Sequence, residues 1–309
     1  MGRKKKGLPV HGWLVLDKPL GVTSTQMVGR ARRILNAQKV GHGGTLDPLA
    51  TGILPLAFGE ATKTVSYAMD GRKSYRFAVR WGAATSTDDL EGEVIEESAY
   101  RPSIDEIQEA LKAFQGVIEQ TPPRYSAIKI DGKRAYDLAR GGDETFEIKS
   151  RQVRIDRFEL IDARDGEEAV FEVDCGKGTY VRSLGRDLAK ALGSCAHVIE
   201  LRRTRVGLFT LEHAISLETL EEIGHSPAAG EQLLPVETAL DDISALALSE
   251  TEATRLRQGQ TIAMISRADQ DRLEGIGNGD ILLATEKGKP VALARYEKGV
   301  VSSVRVLNL

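Results

Sequence analysis

Apolar and polar residues alternate most cleanly in SYRFAVRWG (74–82). Tyr75, Phe77, Val79 and Trp81 fall on one face, with Arg76, Ala78 and Arg80 on the other. A period of two predicts a half-buried strand. WLVLDKP (13–19) predicts a short strand that runs into a proline turn. TSTQMVGRARRILN (23–36) changes to helical spacing, with Met27, Val28, Ala31, Ile34 and Leu35 on one stripe and Ser24 or Thr25 placed to cap it. ILPLAFGEATKTVSYAMD (53–70) is apolar and then helical, and DDLEGEVIEES (88–98) reads as a turn followed by a strand. SIDEIQEALKAF (103–114) opens with the Ser-x-x-Glu capping box, Ser103 to Glu106. Strands follow over 151–161 and 168–175, then a helix in TYVRSLGRDLAKALG (179–193) with Leu184, Leu188, Ala191 and Leu192 as its apolar stripe. HSPAAGEQLLPVETAL (225–240) reads as a linker. Residues 244–309 alternate in short strands after one helix, SETEATRLRQG, which predicts a small β-barrel. Strands and helices mix without a βαβα rhythm. The expected class is therefore α+β, with a mixed, largely antiparallel central sheet and a small C-terminal β domain.

With 309 residues, 41% hydrophobic and 28% charged, the chain has the composition of a globular protein of about two domains. No apolar run approaches the ~20 residues that span a bilayer. The basic start, MGRKKKGLPVHGW, is not followed by an apolar stretch, so it does not read as a signal peptide. Cys175 and Cys195 form no CxxC, and the five histidines show no HxxxH spacing. The expectation is a reduced cytoplasmic protein that is not associated with a membrane and has no protein-built metal site. Net charge is −3, yet residues 1–40 carry nine Lys/Arg against one acid, and residues 211–309 carry nine against sixteen. A polyanion responds to the local field of such a basic front rather than to the sum.

Cofactor motifs fail: GHGGTL has Leu46 where GxGxxG needs its third glycine, DCGKGTY is not a Walker loop, and there is no GxSxG. What stands out is GHGGTLDPLATG (41–52), a glycine-rich turn around one carboxylate, Asp47. One explanation is an ordinary helix start, Asp47 as N-cap and Pro48 at N1. Another is a catalytic carboxylate at a helix N-terminus, which favours negative charge, with Gly41, Gly43, Gly44 and Gly52 opening the way for a bulky substrate. Such a carboxylate needs a cation, and Arg182 in GTYVRSLG is available. Tyr75 and Tyr180 are either core residues or platforms for a base. EQTPPRYSAIKIDGKRAYDLARGGDETFEI (119–148) interleaves Arg124, Lys129, Lys133, Arg134 and Arg140 with Tyr125 and Tyr136. That mixture suits folded or single-stranded RNA better than a duplex groove.

Six blocks now come in order: DKPLGVTS (17–24), GHGGTLDPLATG (41–52), KSYRFAVRWGAATSTDDLEG (73–92), TPPRYSAIKIDGKRAYDLARGG (121–142), GKGTYVRSLGRDL (176–188) and LRRTRVGLFT (201–210). Together they closely resemble the TruB family of bacterial tRNA pseudouridine synthases, over roughly residues 10–240 and more loosely over a PUA-like tail. One departure is Gly43, where many members carry Thr. The resemblance implies a basic N-terminal arm (1–10), a pseudouridine synthase catalytic domain (11–240) with an RNA-binding insertion (119–148), and a PUA-like RNA-binding domain (244–309). It implies isomerisation of uridine 55 in the TΨC loop of tRNA by base flipping, with no metal, no organic cofactor and no required protein partner, in a monomer. It places the catalytic aspartate on Asp47, the active-site tyrosine on Tyr75 and the arginine partner on Arg182. Pocket positions fall on Tyr180 and Leu201, the histidine that replaces the flipped base on His42, and a structural motif on Lys18 and Pro19. Two rivals remain at this stage. A glycosylase would need a second acid, and Asp88 or Asp89 is available though both read as turn residues. The other rival is a non-catalytic tRNA-binding or folding module.

Overall fold

The computed structural model describes residues 7–126, 128–130, 132–141 and 146–309, with Arg134 described by its backbone alone. Arg3, Lys4, Lys5 and Lys6 of the expected basic arm lie outside those residues, as do parts of the expected insertion.

One large sheet organises the first 216 residues. Its strands are β1 (Gly12–Lys18), β2 (Val40–His42), β3 (Ala50–Phe58), β4 (Lys73–Trp81), β5 (Gly116–Gln120), β6 (Arg151–Arg164), β7 (Glu168–Cys175), β8 (Ala196–Val206), β9 (Phe209–Thr210) and β10 (Ala214–Ser216). They run in the order β10-β1-β3-β8-β4-β7-β6-β5, with β2 added to β3 and β9 to β8. The β1–β10 and β3–β8 pairs are parallel and the rest antiparallel. The alternation in SYRFAVRWG does what period two predicts. Tyr75, Phe77, Val79 and Trp81 are all buried and Arg76 and Arg80 are exposed, but Ala78 between the two arginines is buried as well, so that face is only partly open.

Three helices matter for the site. Helix α1 (Ser24–Ile34) buries Met27 and Ala31 against Leu14, Leu16 and Leu54. Its cap is Thr23 with Gln26, one residue earlier than expected. Ser24 is left free for another task, described below. Helix α2 (Ile104–Leu111) has the predicted capping box and buries Ile107 and Leu111. Helix α3 (Val181–Ala191) packs Leu184 and Leu188 on Phe77, Val79 and Val198.

Two expectations fail. Residues 48–49 form a turn rather than a helix start, and strand β3 begins at Ala50. Pro48 supplies good N1 chemistry, but the chain must pass directly under β8. The ideal Cβ of Gly52 would lie 2.1 Å from the Arg203 carbonyl oxygen, and φ there is +97°. Only glycine meets both demands, and the extended crossing leaves no room for a helix. The segment 225–240 is not a linker. It forms a short helix (Pro227–Glu231) and a 3-10 turn (Val236–Leu240). It is tied to β1 by reciprocal backbone hydrogen bonds between Trp13 and Leu234, and by Trp13 Nε1 donating to the Val236 carbonyl.

The C-terminal strands β11 (Ala245–Leu248), β12 (Ile262–Ala263), β13 (Ile281–Glu286), β14 (Lys289–Glu297) and β15 (Val300–Val306) form a second sheet, in the order β11-β13-β14-β15-β12. Its end strands are not paired with each other, so the small barrel is a curled half-barrel. Leu283, Leu293 and Leu307 join Trp13, Val15, Ile53 and Phe209 in one apolar cluster shared by both sheets.

Candidate active site

Asp47 lies in the turn between β2 and β3, and three local anchors fix that turn. Ser24 Oγ accepts from Leu46 N–H at 2.9 Å and donates to the Leu46 carbonyl at 3.0 Å. Lys18 Nζ donates to the carbonyls of Pro19, Val22 and Pro48 at 2.9, 2.6 and 3.1 Å. Gly21 N–H also donates to Pro48. DKPLGVTS therefore builds the platform on which LDP sits, and neither Lys18 nor Pro19 lines the cavity that opens beside Asp47. Burial lowers the Lys18 pKa to about 8, opposed by Asp47 and reinforced by Arg203.

The fourth anchor is Arg203, fully buried in β8. Its Nε donates to Ile53 O at 2.8 Å, Nη2 to Gly44 O at 3.1 Å and Nη1 to Thr45 O at 3.4 Å. Two of the four glycines also meet this arginine. Gly44 has φ +111° and lies against the Arg203 guanidinium, and Gly52 passes under its backbone. Gly52 thus admits a protein arginine, while Gly44 lies between that arginine and the cavity it lines. Arg203 is the register partner of Tyr75 on β4 and lies beside its phenol. Burial raises the Tyr75 pKa, and Arg203 opposes the shift.

The cation for Asp47 is Arg182, from the first turn of α3. Arg182 Nη2 is 2.8 Å from Asp47 Oδ2. Its side chain is 6% exposed, while that of Asp47 is 41% exposed. A buried guanidinium thus holds a carboxylate whose other side is open. Arg182 Nη2 also donates to Tyr125 O at 2.9 Å, and Nη1 to Thr87 O at 2.8 Å. Behind it, Asp89 Oδ2 lies 3.4 Å from Nη1. Asp89 is itself buried, and accepts hydrogen bonds from the Thr87 hydroxyl and Glu91 N–H. Asp88 turns the other way, with φ +62°, and pairs with Arg186 at 2.9 Å. Neither acid faces the cavity beside Asp47. They brace two arginines one helical turn apart on α3.

A cavity of about 330 Å³ opens beside Asp47, within the range of small-molecule sites. Tyr75, Tyr180, Arg182, Leu201 and Arg203 line it with Asp47. Leu201 is the register partner of both Ala50 and Phe77, where three strands meet. Tyr180 is fixed by exchange with Gln120, whose Oε1 accepts from Tyr180 N–H and whose Nε2 donates to Tyr180 O. The Arg151 guanidinium lies 5.1 Å above the Tyr180 ring. His42 does not line the cavity. Its Nδ1 is buried without a partner, and burial, then Arg203, lowers its pKa.

Comparison with known proteins gives the family of the chain. The family model for the TruB family pseudouridylate synthase N-terminal domain matches residues 32–181, and that for the tRNA pseudouridylate synthase B C-terminal domain matches 182–241. The chain is 50% identical over 309 residues to a tRNA pseudouridine synthase B of Rhodospirillum rubrum, covering 100% of both. It is 52% identical over 310 residues to one of Caulobacter vibrioides, again covering 100% of both. The chain belongs to the TruB family of pseudouridylate synthases. Like its family, it is an isomerase. A crystal structure of a Cbf5-Nop10-Gar1 complex superposes with a TM-score of 0.73 at 26% identity, covering 100% of this chain and 91% of that one.

Within this TruB-family site, sequence reasoning missed Arg203 and Gln120, and took Asp89 for a turn residue or a second acid rather than the partner of Arg182. Asp89 and Arg203 stand inside quoted motifs, yet their partners lie far along the chain. Only the β3–β8–β4 register places Arg203 under Tyr75. No local signal singles out Arg203, because LRRTRV sets three arginines in one strand and only the fold decides that Arg203 is the buried one.

Proposed function

We propose that the protein isomerises uridine 55 in the TΨC loop of tRNA to pseudouridine, acting as a monomer without metal or organic cofactor. The observation that carries this reading is the half-open carboxylate of Asp47, held from its buried side by Arg182 at the mouth of a cavity walled by two tyrosines. The N1–C1′ bond breaks, the base turns, C5 joins C1′, and the C5 proton is released while N1 is left protonated. Asp47 acts on the sugar, at C1′ or C2′. A carboxylate pre-oriented by a buried arginine meets the developing sugar cation without reorganising. Tyr75 stacks on the base, Tyr180 and Leu201 wall it in, and His42 fills the space that the flipped base leaves in the T loop. Arg182 orients Asp47. The 119–148 insertion, with Arg124 4.9 Å over Phe146 and Arg140 5.8 Å over Tyr136, grips the RNA, and the half-barrel at 244–309 gives a second contact.

The test uses a tRNA transcript tritiated at uridine C5. Wild-type protein is expected to release tritium from one T-loop uridine. Asp47→Asn is expected to bind the transcript with unchanged affinity and release none. Tight binding without release by the wild type would identify a tRNA-folding module instead, and free uracil would identify a glycosylase.

A further inference from the structure

Among the described residues, three buried side-chain polar atoms have no hydrogen-bond partner: His42 Nδ1, Ser126 Oγ and Arg151 Nε. Two of the three, on Ser126 and Arg151, belong to residues that line the catalytic cavity. Buried polar atoms are nearly always paired, and leaving one unmade costs about 1–3 kcal/mol. Both side chains stand in the wall of the cavity with the unpaired atom covered, so a small turn of either side chain toward a bound ligand would complete it.

Ser126 is held for this purpose. Its residue is 3% exposed. Its carbonyl accepts from Tyr136 N–H at 3.0 Å, and the carbonyl before it, on Tyr125, accepts from the arginine nitrogen that grips Asp47. The hydroxyl is thus tethered one residue away from the group that sets the catalytic carboxylate. Arg151 is fixed by its Nη2 donating to Gly178 O and by its stacking on Tyr180. Its Nε–H remains unused.

Uracil carries two carbonyl acceptors flanking one N–H donor. Drawn into a cavity, that edge loses water and must be re-paired. A hydroxyl donates and accepts, and a guanidinium N–H only donates. We propose that Ser126 is a substrate-contacting residue whose hydroxyl hydrogen-bonds the polar edge of the reacting uracil, with Arg151 Nε–H as a second donor to a ring carbonyl. The inference rests on the reading given under Proposed function and adds to it the residue that recognises the base. With the Arg151 Nε–H facing C4, cytosine would place an amine against a group that can only donate, and a site left with unpaired polar groups rejects strongly.

The experiment is single-turnover tritium release from T-arm stem-loops by wild type, Ser126→Ala and Ser126→Thr. The reacting residue is uridine, 3-deazauridine or 4-thiouridine. On uridine, Ser126→Ala is expected to be slower by roughly tenfold to a hundredfold, with Ser126→Thr recovering much of the rate. The wild type discriminates against at least one analogue, and Ser126→Ala loses that discrimination. The melting temperature of free Ser126→Ala stays at or above that of wild type, because no bond is lost in the free protein. Equal rates for wild type and Ser126→Ala on uridine overturn the proposal alone. So does a rate loss that is the same on all three substrates and accompanied by a lower melting temperature. A wild type that releases no tritium overturns the functional reading, and this proposal with it.

Discussion

Arg182 stands between two carboxylates in different settings, Asp47 open to the cavity and Asp89 buried. Removing the buried partner leaves a buried guanidinium undercompensated, which typically costs 3–5 kcal/mol. Arg182 keeps Asp47 and two carbonyls, so Asp89→Ala is expected to lose about 3 kcal/mol, the lower end of that range. Urea unfolding reads the loss, and tritium release should fall with it as Arg182 loosens from Asp47. Lys18 gives a pH signature. Its folded pKa, about 8, lies below its ordinary 10.5. Between those values the unfolded chain holds more protons than the folded one. The Lys18 contribution to stability therefore rises with pH across that window and is flat below it. Urea midpoints of wild type and Lys18→Met, followed from pH 7 to 10, should shift progressively in favour of wild type above pH 8. A constant difference would contradict the lowered pKa.

At the scale of elements, the decisive contact is the passage of β3 beneath β8. Gly52→Ala adds a methyl against the Arg203 carbonyl at a backbone angle that L residues avoid. Strain alone costs about 1–3 kcal/mol, and the clash adds to it. The variant is expected to unfold at clearly lower urea concentration and to lose activity, because Arg203 and the Asp47 turn shift together. This contact also shows what the sequence could and could not reveal. Helices α1, α2 and α3 and strand β4 were legible because their apolar stripes have periods of 3.6 and 2, which report local burial. The Asp47 turn was misjudged as a helix start because Asp-Pro chemistry is local, whereas the demand for an extended chain comes from Arg203, 151 positions beyond Gly52. The segment 225–240 looked like a linker because its prolines and glycine outweighed four apolar residues, Leu233, Leu234, Val236 and Leu240, whose partners lie on β1 and the second sheet. Asp47 and Arg182 were each legible as candidates, while Asp89 looked like a turn because its arginine lies 93 residues away.

Over the whole molecule, the two sheets do not behave as beads on a string. Trp13 and Phe209 of the first share a core with Leu283, Leu293 and Leu307 of the second. Lys63 Nζ donates to the Val306 carbonyl at 2.8 Å, and Asn308 N–H donates to Glu60. Heating should therefore melt both sheets in one transition. Leu293→Ala, which removes about 2–5 kcal/mol of packing, should lower that single transition by several degrees. Two separated calorimetric peaks would refute the shared core. RNA binding should weaken steeply with salt, since a basic front half attracts phosphates by releasing counterions. The cations of the site have one further property in common. Lys18, Arg182, Arg186 and Arg203 hold Pro48, Tyr125, Thr121 and Thr45 by their backbone carbonyls, not by their side chains. A carbonyl is the same whatever residue carries it. The grip of Arg186 on Thr121 and of Arg182 on Tyr125 thus survives a change of side chain at either position. A saturation-mutagenesis library selected for activity should accept more residues at Thr121 and Tyr125 than at Arg182 or Arg203.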